Sequence, residues 1–334
     1  MDASEEQPQP PEQSANAAAP IETWKSLPGQ PGIEVFHLSP PPVPDVYDPE
    51  LPIRRRVWLP LALFLITCVM TFSAGVVGWN GSLFNLEEIS FHWHDHWITG
   101  CQYMLGVLGI LLAHEMGHFL MAHRHRVPAS FPYFIPFPML LTGTMGAVIR
   151  MQGGRADRKQ IFDIGIAGPL AGLVIAIPLL CYGIVNAEAV PTASTGYTLG
   201  HPLLVKFLIP LLRPDISANT QFRNPFWMAA WVGMLITGLN MMPVSQLDGG
   251  HVVYGLFGRH AKLVSRAFLL SALAYMVIAE NYSWSAMVIL VTFLGVDHPP
   301  TANEHVPLGP VRTVLGLLSL AIPVLCFMPT PISQ

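Results

Sequence analysis

His114-Glu115-Met116-Gly117-His118 sets two imidazoles four residues apart with a carboxylate between them. On a helix, four residues advance the chain by one turn and about 40°, so His114 and His118 share a face. Two imidazoles on one face suit a single zinc ion, and Glu115 beside them can take a proton from water. Zinc lowers the pKa of a bound water to about 7, which makes hydroxide available at neutral pH. In a soluble helix this pattern often arises by chance. Here it is flanked by Ile110-Leu111-Leu112-Ala113 and Phe119-Leu120-Met121, the composition of a membrane span. An ionisable side chain at the centre of a span costs about 2.5–3.5 kcal/mol. Three within five residues need compensation, and metal coordination provides it. The bland alternative is a polar helix end at the interface, because the motif lies near the basic end of its helix.

A catalytic zinc keeps three protein ligands and one open position. The best candidate for the third ligand is Asp248, in Asn240-Met241-Met242-Pro243-Val244-Ser245-Gln246-Leu247-Asp248-Gly249-Gly250. Pro243 breaks the apolar helix before it, and Gly249-Gly250 permits tight turning. Asn240 is placed to satisfy backbone groups that the break releases. Taken alone, Asp248 reads at least as well as a helix cap at the interface.

These residues must be positioned by membrane helices. The chain has 334 residues, of which 51% are hydrophobic and 11% charged. Soluble proteins carry about 25% charged residues, so this is an integral membrane protein. A net charge of −4, with the basic residues clustered at helix ends, argues against a nucleic-acid partner. Cys68, Cys101, Cys181 and Cys326 sit in apolar runs and read as small buried hydrophobes. Residues 1–53 are rich in Pro, Gln, Glu and Ala, lack the pattern of a signal peptide, and read as a disordered tail.

Apolar stretches of about 20 residues mark the spans. They fall at about 57–79, 97–122, 162–185 and 225–242, with two short ones at 267–279 and 284–296 and a last one at 311–328. The expected fold is an all-α polytopic membrane protein of six or seven spans over residues 54–330. Arg54-Arg55-Arg56, His123-Arg124-His125-Arg126 and the basic residues at 150–159 and 259–266 mark the cytoplasmic side. Residues 80–96 and 186–224 are then external loops. Between Pro128 and Gly146 the chain is apolar but crowded with prolines and glycines, which excludes a straight helix. Non-helical backbone at membrane depth must be buried or line a cavity, so this stretch reads as a re-entrant β-hairpin or loop, with 142–150 as a strand. Gly165, Gly168-Pro169-Leu170-Ala171-Gly172 and Gly183 permit close helix approach in the third span.

The two motifs together, with the Gly168–Gly172 segment and the proline-rich 131–150 segment, resemble the site-2 protease family of intramembrane metalloproteases over residues 100–330. The resemblance implies one zinc ion held by His114, His118 and Asp248, with Glu115 as catalytic base and acid. It implies that Asn240 contacts the substrate or the oxyanion and that Pro243 belongs to the same substrate-binding element. It implies substrates that are single-span membrane proteins, cut in or near the transmembrane segment, and a cytoplasmic-facing site in a bacterial inner membrane or its equivalent. About 120 residues separate the motifs, too few and too apolar for a PDZ domain, so the compact bacterial and plastid branches look nearest.

Other histidines offer weaker leads. His92-Trp93-His94-Asp95-His96 could bind a second metal, but the bland reading is a surface loop across the membrane from His114. Asp297-His298, after the sixth span, could approach the site from the cytoplasmic side, but ahead of Pro299-Pro300 a surface turn is the bland reading. His251, just past Gly250, is close enough to support a ligand without being one. The competing functions are a catalytically silent scaffold of the same fold, a zinc transporter, and a peptidase for soluble peptides at the membrane surface.

Overall fold

The computed structural model describes residues 57–79, 86–138, 142–190, 198–217, 220–244, 246–299 and 301–333. The expected N-terminal tail and Arg54-Arg55-Arg56 lie outside them. The chain is mostly helical. Among the described residues, four helices are long and apolar enough to cross a membrane: Trp58–Val76, His92–Arg124, Arg158–Asn186 and Asp248–Ile278.

Helix α1 spans Trp58–Val76, α2 Leu86–Arg124 and α3 Arg158–Asn186. Helix α5, Pro225–Asn240, runs through the middle of the bundle, with Trp227 to Met234 all buried. Being apolar on every side, it has no face to turn to water. Its start is set by Asn224, whose side chain accepts from the amides of Phe226 (2.9 Å) and Trp227 (3.1 Å), and by Pro225 in the first turn. Helix α3 starts on a reciprocal cap. The Gln160 amide donates to Asp157 Oδ1 (2.8 Å), and the Asp157 amide donates to Gln160 Oε1 (3.0 Å). Side-chain hydroxyls inside α1 donate back to the preceding turn, as Thr67 does to the Leu63 carbonyl (2.8 Å), so they need no water.

After Asn240 the helix stops, and a turn through Pro243 leads to α6, Asp248–Phe257. A short 3-10 turn at Gly258–His260 joins α6 to α7, Ala261–Ile278. Helices α8 (Ser285–Leu294), α9 (Pro310–Ser319) and α10 (Ala321–Cys326) follow.

The apolar, proline-rich segment forms an antiparallel pair, β1 (Tyr133–Pro136) with β2 (Thr144–Val148). Gly143 enters β2 at φ 75°, close against the Met70 carbonyl of α1, where a side chain would meet backbone. The Tyr103 hydroxyl of α2 donates to the Thr142 carbonyl (2.9 Å), and Phe134 packs edge-on against Phe64 of α1. The pair is therefore held by the bundle on one side. Among the described residues, the other edge of β2 has no strand partner.

Two expected loops differ. The stretch read as an external loop at 80–96 is helical from Leu86, so the His92–His96 cluster occupies early turns of α2. The helical run continues because no proline or glycine interrupts 86–99. The apolar centre of 186–224 folds as strands β3 (Glu188–Val190), β4 (Thr198–Leu199) and β5 (Gln221–Arg223), with α4, Leu203–Leu212. β3 pairs with β5, and β4 pairs with β6 at Ile332–Ser333.

Helices α3 and α5 meet at Gly183, where an added Cβ would stand 2.6 Å from the Trp227 Cα. Gly183→Leu should destabilise the protein by about 1–3 kcal/mol through overpacking. Gly109→Ala, at a position with nothing within 4 Å, should change stability little. Thermal unfolding of the two variants in detergent checks the contrast.

Candidate metal centre and its cavity

His114 and His118 lie one turn apart on α2 and are both buried, at 2% and 6% exposure. Asp248 is the first residue of α6 and is brought to them by the break after α5. His114 Nε2 is 3.1 Å from Asp248 Oδ2, His118 Nε2 is 3.2 Å from Asp248 Oδ1, and the two Nε2 atoms are 3.1 Å apart. Tetrahedral donors at zinc bond lengths of 2.0–2.2 Å stand about 3.3–3.6 Å apart, so the triangle has the right size. Among the described residues this is the one group of three metal-ligating side chains that converge.

Proton placement points the same way. His118 Nδ1 lies 2.8 Å from the Ile164 carbonyl, which can only accept, so Nδ1 carries the proton. Nε2 is then the ring nitrogen left to bind a cation, and it faces a carboxylate oxygen that can bind the same ion. The donor set therefore fits zinc. Asp248 is not the helix cap: Leu247 holds that position, and both Asp248 oxygens are directed to the imidazoles. A carboxylate in the first turn is also favoured by the helix dipole.

What admits the three side chains is a face of α3 that lacks them. Gly165, Gly168 and Gly172 recur at helical spacing. A methyl at Gly168 would overlap the His118 ring, and one at Gly172 would stand 3.2 Å from His114 Cβ. A methyl at Gly165 would stand 2.6 Å from His251 Cβ. Within the motif, Gly117 lets α2 close on the Ala167 carbonyl, where an added Cβ would lie at 2.6 Å.

A cavity of about 150 Å³ opens beside these groups. Its lining includes Glu115, His118, Asn240, Asp248 and His251, together with Ala147, Val148 and Ile149 at the end of β2. Glu115 is only 4% exposed. Asn240 Nδ2 is 3.5 Å from His114 Nε2, placing its amide at the rim of the triangle. Pro243 lies in the turn that separates α5 from α6 and is not part of the cavity lining. The His92–His96 cluster begins 22 residues before His114, about 33 Å along α2, and is remote from the site.

Two features were not legible in the sequence. His298 is buried, not in a surface turn. It stacks on Tyr254 at 4.2 Å and lies 2.7 Å from His251. Burial holds its imidazole below the usual histidine pKa range. The neighbouring Asp297 does face water and pairs with Arg266 at 2.7 Å. The second feature is Asp163 on α3, which receives Arg312 of α9 (2.6 and 2.9 Å) and faces His125 Nε2 at 3.0 Å. This cluster ties the end of α2 to α3 and α9. No local pattern announces either feature, because the partners lie dozens of residues apart.

Residues 102–279 match the model of peptidase family M50. The chain is 31% identical over 234 residues to a protein of Arabidopsis thaliana named probable zinc metalloprotease EGY1, chloroplastic, covering 67% of this chain and 42% of that protein. The Oryza sativa subsp. japonica protein of the same name is 30% identical over 309 residues, covering 85% of this chain and 52% of the relative. A probable zinc metalloprotease EGY2, chloroplastic, of Arabidopsis thaliana is 28% identical over 232 residues, 67% of this chain and 40% of that protein. The chain thus spans about half the length of the curated relatives it matches.

Gly168→Ala should cost the protein its metal, because the methyl takes the place of the His118 ring. We expect zinc per chain, measured by elemental analysis of the purified protein, to fall by at least about tenfold relative to the parent. Gly109→Ala serves as the control that keeps its zinc.

Proposed function

Because the chain belongs to peptidase family M50, the site-2 protease family, we propose that it is an intramembrane zinc metalloprotease. Its substrates in this reading are single-span membrane proteins, cut in or near the transmembrane segment, as in regulated intramembrane proteolysis. The observation that carries the reading is the meeting of His114, His118 and Asp248 within 3.2 Å of one another, beside a buried Glu115 that lines the same cavity.

His114, His118 and Asp248 would hold one zinc ion. When bound, zinc supplies a Lewis acid that polarises the scissile carbonyl and acidifies water. Glu115 takes a proton from the attacking water and delivers it to the amine nitrogen as the C–N bond breaks. The Asn240 amide donates to the carbonyl oxygen, where negative charge develops. Pro243 acts at a distance, by ending α5 so that Asn240 and Asp248 reach the cavity from opposite sides of the break.

A helical substrate hides its peptide bonds in its own hydrogen bonds, so it must unwind before it is cut. The edge of β2 that has no strand partner among the described residues offers an extended segment a strand to pair with, and Ala147 and Val148 of β2 already line the cavity. In this reading β1 and β2 are re-entrant within the membrane domain of residues 54–330. Six or seven spans follow if α5, which rises about 24 Å, and the shorter helices near the C-terminus also cross. Basic residues at His123–Arg126, Arg155–Lys159 and Arg259–Arg266 flank the site end of the bundle. They favour a cytoplasmic site and N-terminus in a bacterial inner membrane or equivalent.

Full-length protein in lipid nanodiscs, incubated with a panel of single-span substrates, tests the proposal. We expect Glu115→Gln to lower cleavage by at least about a hundredfold while zinc content stays at the parent level. Cleavage by Glu115→Gln at the parent rate would overturn the assignment. Asn240→Ala should lose about ten- to a hundredfold in kcat with a smaller change in KM.

A further inference from the structure

The loop after α8 touches His251, a residue of the cavity lining, through His298, and the hydrogen-bond chain it makes can be followed proton by proton. His298 Nδ1 is 2.6 Å from the Pro299 carbonyl. A carbonyl only accepts, so this nitrogen carries the proton. The ring is buried and neutral, which leaves its Nε2 bare. His298 Nε2 is 2.7 Å from His251 Nδ1, so His251 must donate through Nδ1. A neutral His251 then keeps a bare Nε2, and His251 lines the cavity one helical turn from Asp248.

The loop is fastened around this contact. Asp297 pairs with Arg266 on α7, and the Tyr254 hydroxyl meets Thr301 Oγ1 at 3.1 Å. The Ala302 amide donates to the Ala156 carbonyl (2.9 Å), and the Arg158 amide donates to the Asn303 carbonyl (3.0 Å). The Tyr254 ring lies flat on His298, 8° from parallel. His298 is thus held in one orientation from both sides, and Gly165 leaves the room in which His251 stands.

We propose that His298 is a positioning residue that locks His251 in the Nδ1–H tautomer, so that His251 Nε2 accepts a hydrogen bond from a main-chain N–H of the peptide substrate. The inference rests on the reading of the cavity as the site of peptide cleavage. Chemistry selects the ligand group. A peptide offers N–H donors and carbonyl acceptors, and a bare imidazole nitrogen can hold only the former. Asn240, which also lines the cavity, carries the donors that a substrate carbonyl requires.

Two variants and one spectrum test this. His298→Gln keeps an acceptor near the position of Nε2, whereas His298→Leu keeps the bulk and removes the acceptor. On full-length protein in nanodiscs, we expect His298→Leu to lose about tenfold or more in kcat/KM, as outer partners of site histidines do, and His298→Gln to stay within about threefold of the parent. Zinc content should be unchanged in both. Equal activity of the two variants, whether retained or lost, overturns the proposal. The tautomer is read without any cleavage assay from the imidazole 15N shifts of histidine-labelled parent protein, with His251→Asn to assign the resonance. A His251 ring protonated at Nδ1 supports the proposal, and one protonated at Nε2 overturns it. The spectrum decides even if His298→Leu does not fold. A protein that cleaves no substrate yet shows the Nδ1–H ring refutes the protease reading and leaves the lock between the two histidines intact.

Discussion

Everything in this bundle is arranged around a crowding problem. Two imidazoles and a carboxylate, from segments about 130 residues apart in the chain, must share a space a few ångströms wide inside an apolar protein. In that setting each polar group needs a partner, because neither lipid nor packed hydrocarbon provides one. The groups satisfy one another around a shared cation position, and the protein makes room by removing side chains from α3. Gly168 is the sharpest case, since its missing methyl is the space that the His118 ring fills.

The helices that frame this point serve different ends. Helix α2 carries both histidines and Glu115 on a long rigid rod, so their relative positions do not depend on loops. Helix α5 is buried on all sides and ends where its last residue, Asn240, can face the cavity. The break at Pro243 then starts a new helix with Asp248 already turned to the imidazoles. A continuous helix would have carried residue 248 about 12 Å beyond residue 240 along one axis. Away from the metal centre, the Asp163–Arg312–His125 cluster fixes the end of α2 against α3 and α9, which stabilises the rod that bears the motif.

The hairpin lines the cavity from outside the helix bundle, and the loop carrying His298 supports it through His251. Both segments are fastened to the bundle by side-chain and backbone contacts. The hairpin hangs on Tyr103, Phe64 and the close approach at Gly143. The loop hangs on Arg266, Tyr254 and the start of α3. Ala147, Val148 and Ile149, at the end of the hairpin, contribute to the cavity lining beside the buried Glu115.

The sequence alone determined the membrane character, the pairing of His114 with His118, the acid between them, the break that frees Asp248, and the strand before Arg150. Each of these rests on local spacing or composition, which a linear chain displays directly. The limits of the second helix were not legible, because polar residues at 86–96 are as compatible with a loop as with a helix that extends past the hydrocarbon. The approach of both Asp248 oxygens to the imidazoles, the specific overlap that Gly168 avoids, and the burial of His298 were decided only by tertiary structure. Those depend on which residues approach across dozens of positions, and packing of separate segments leaves no periodic mark on either one.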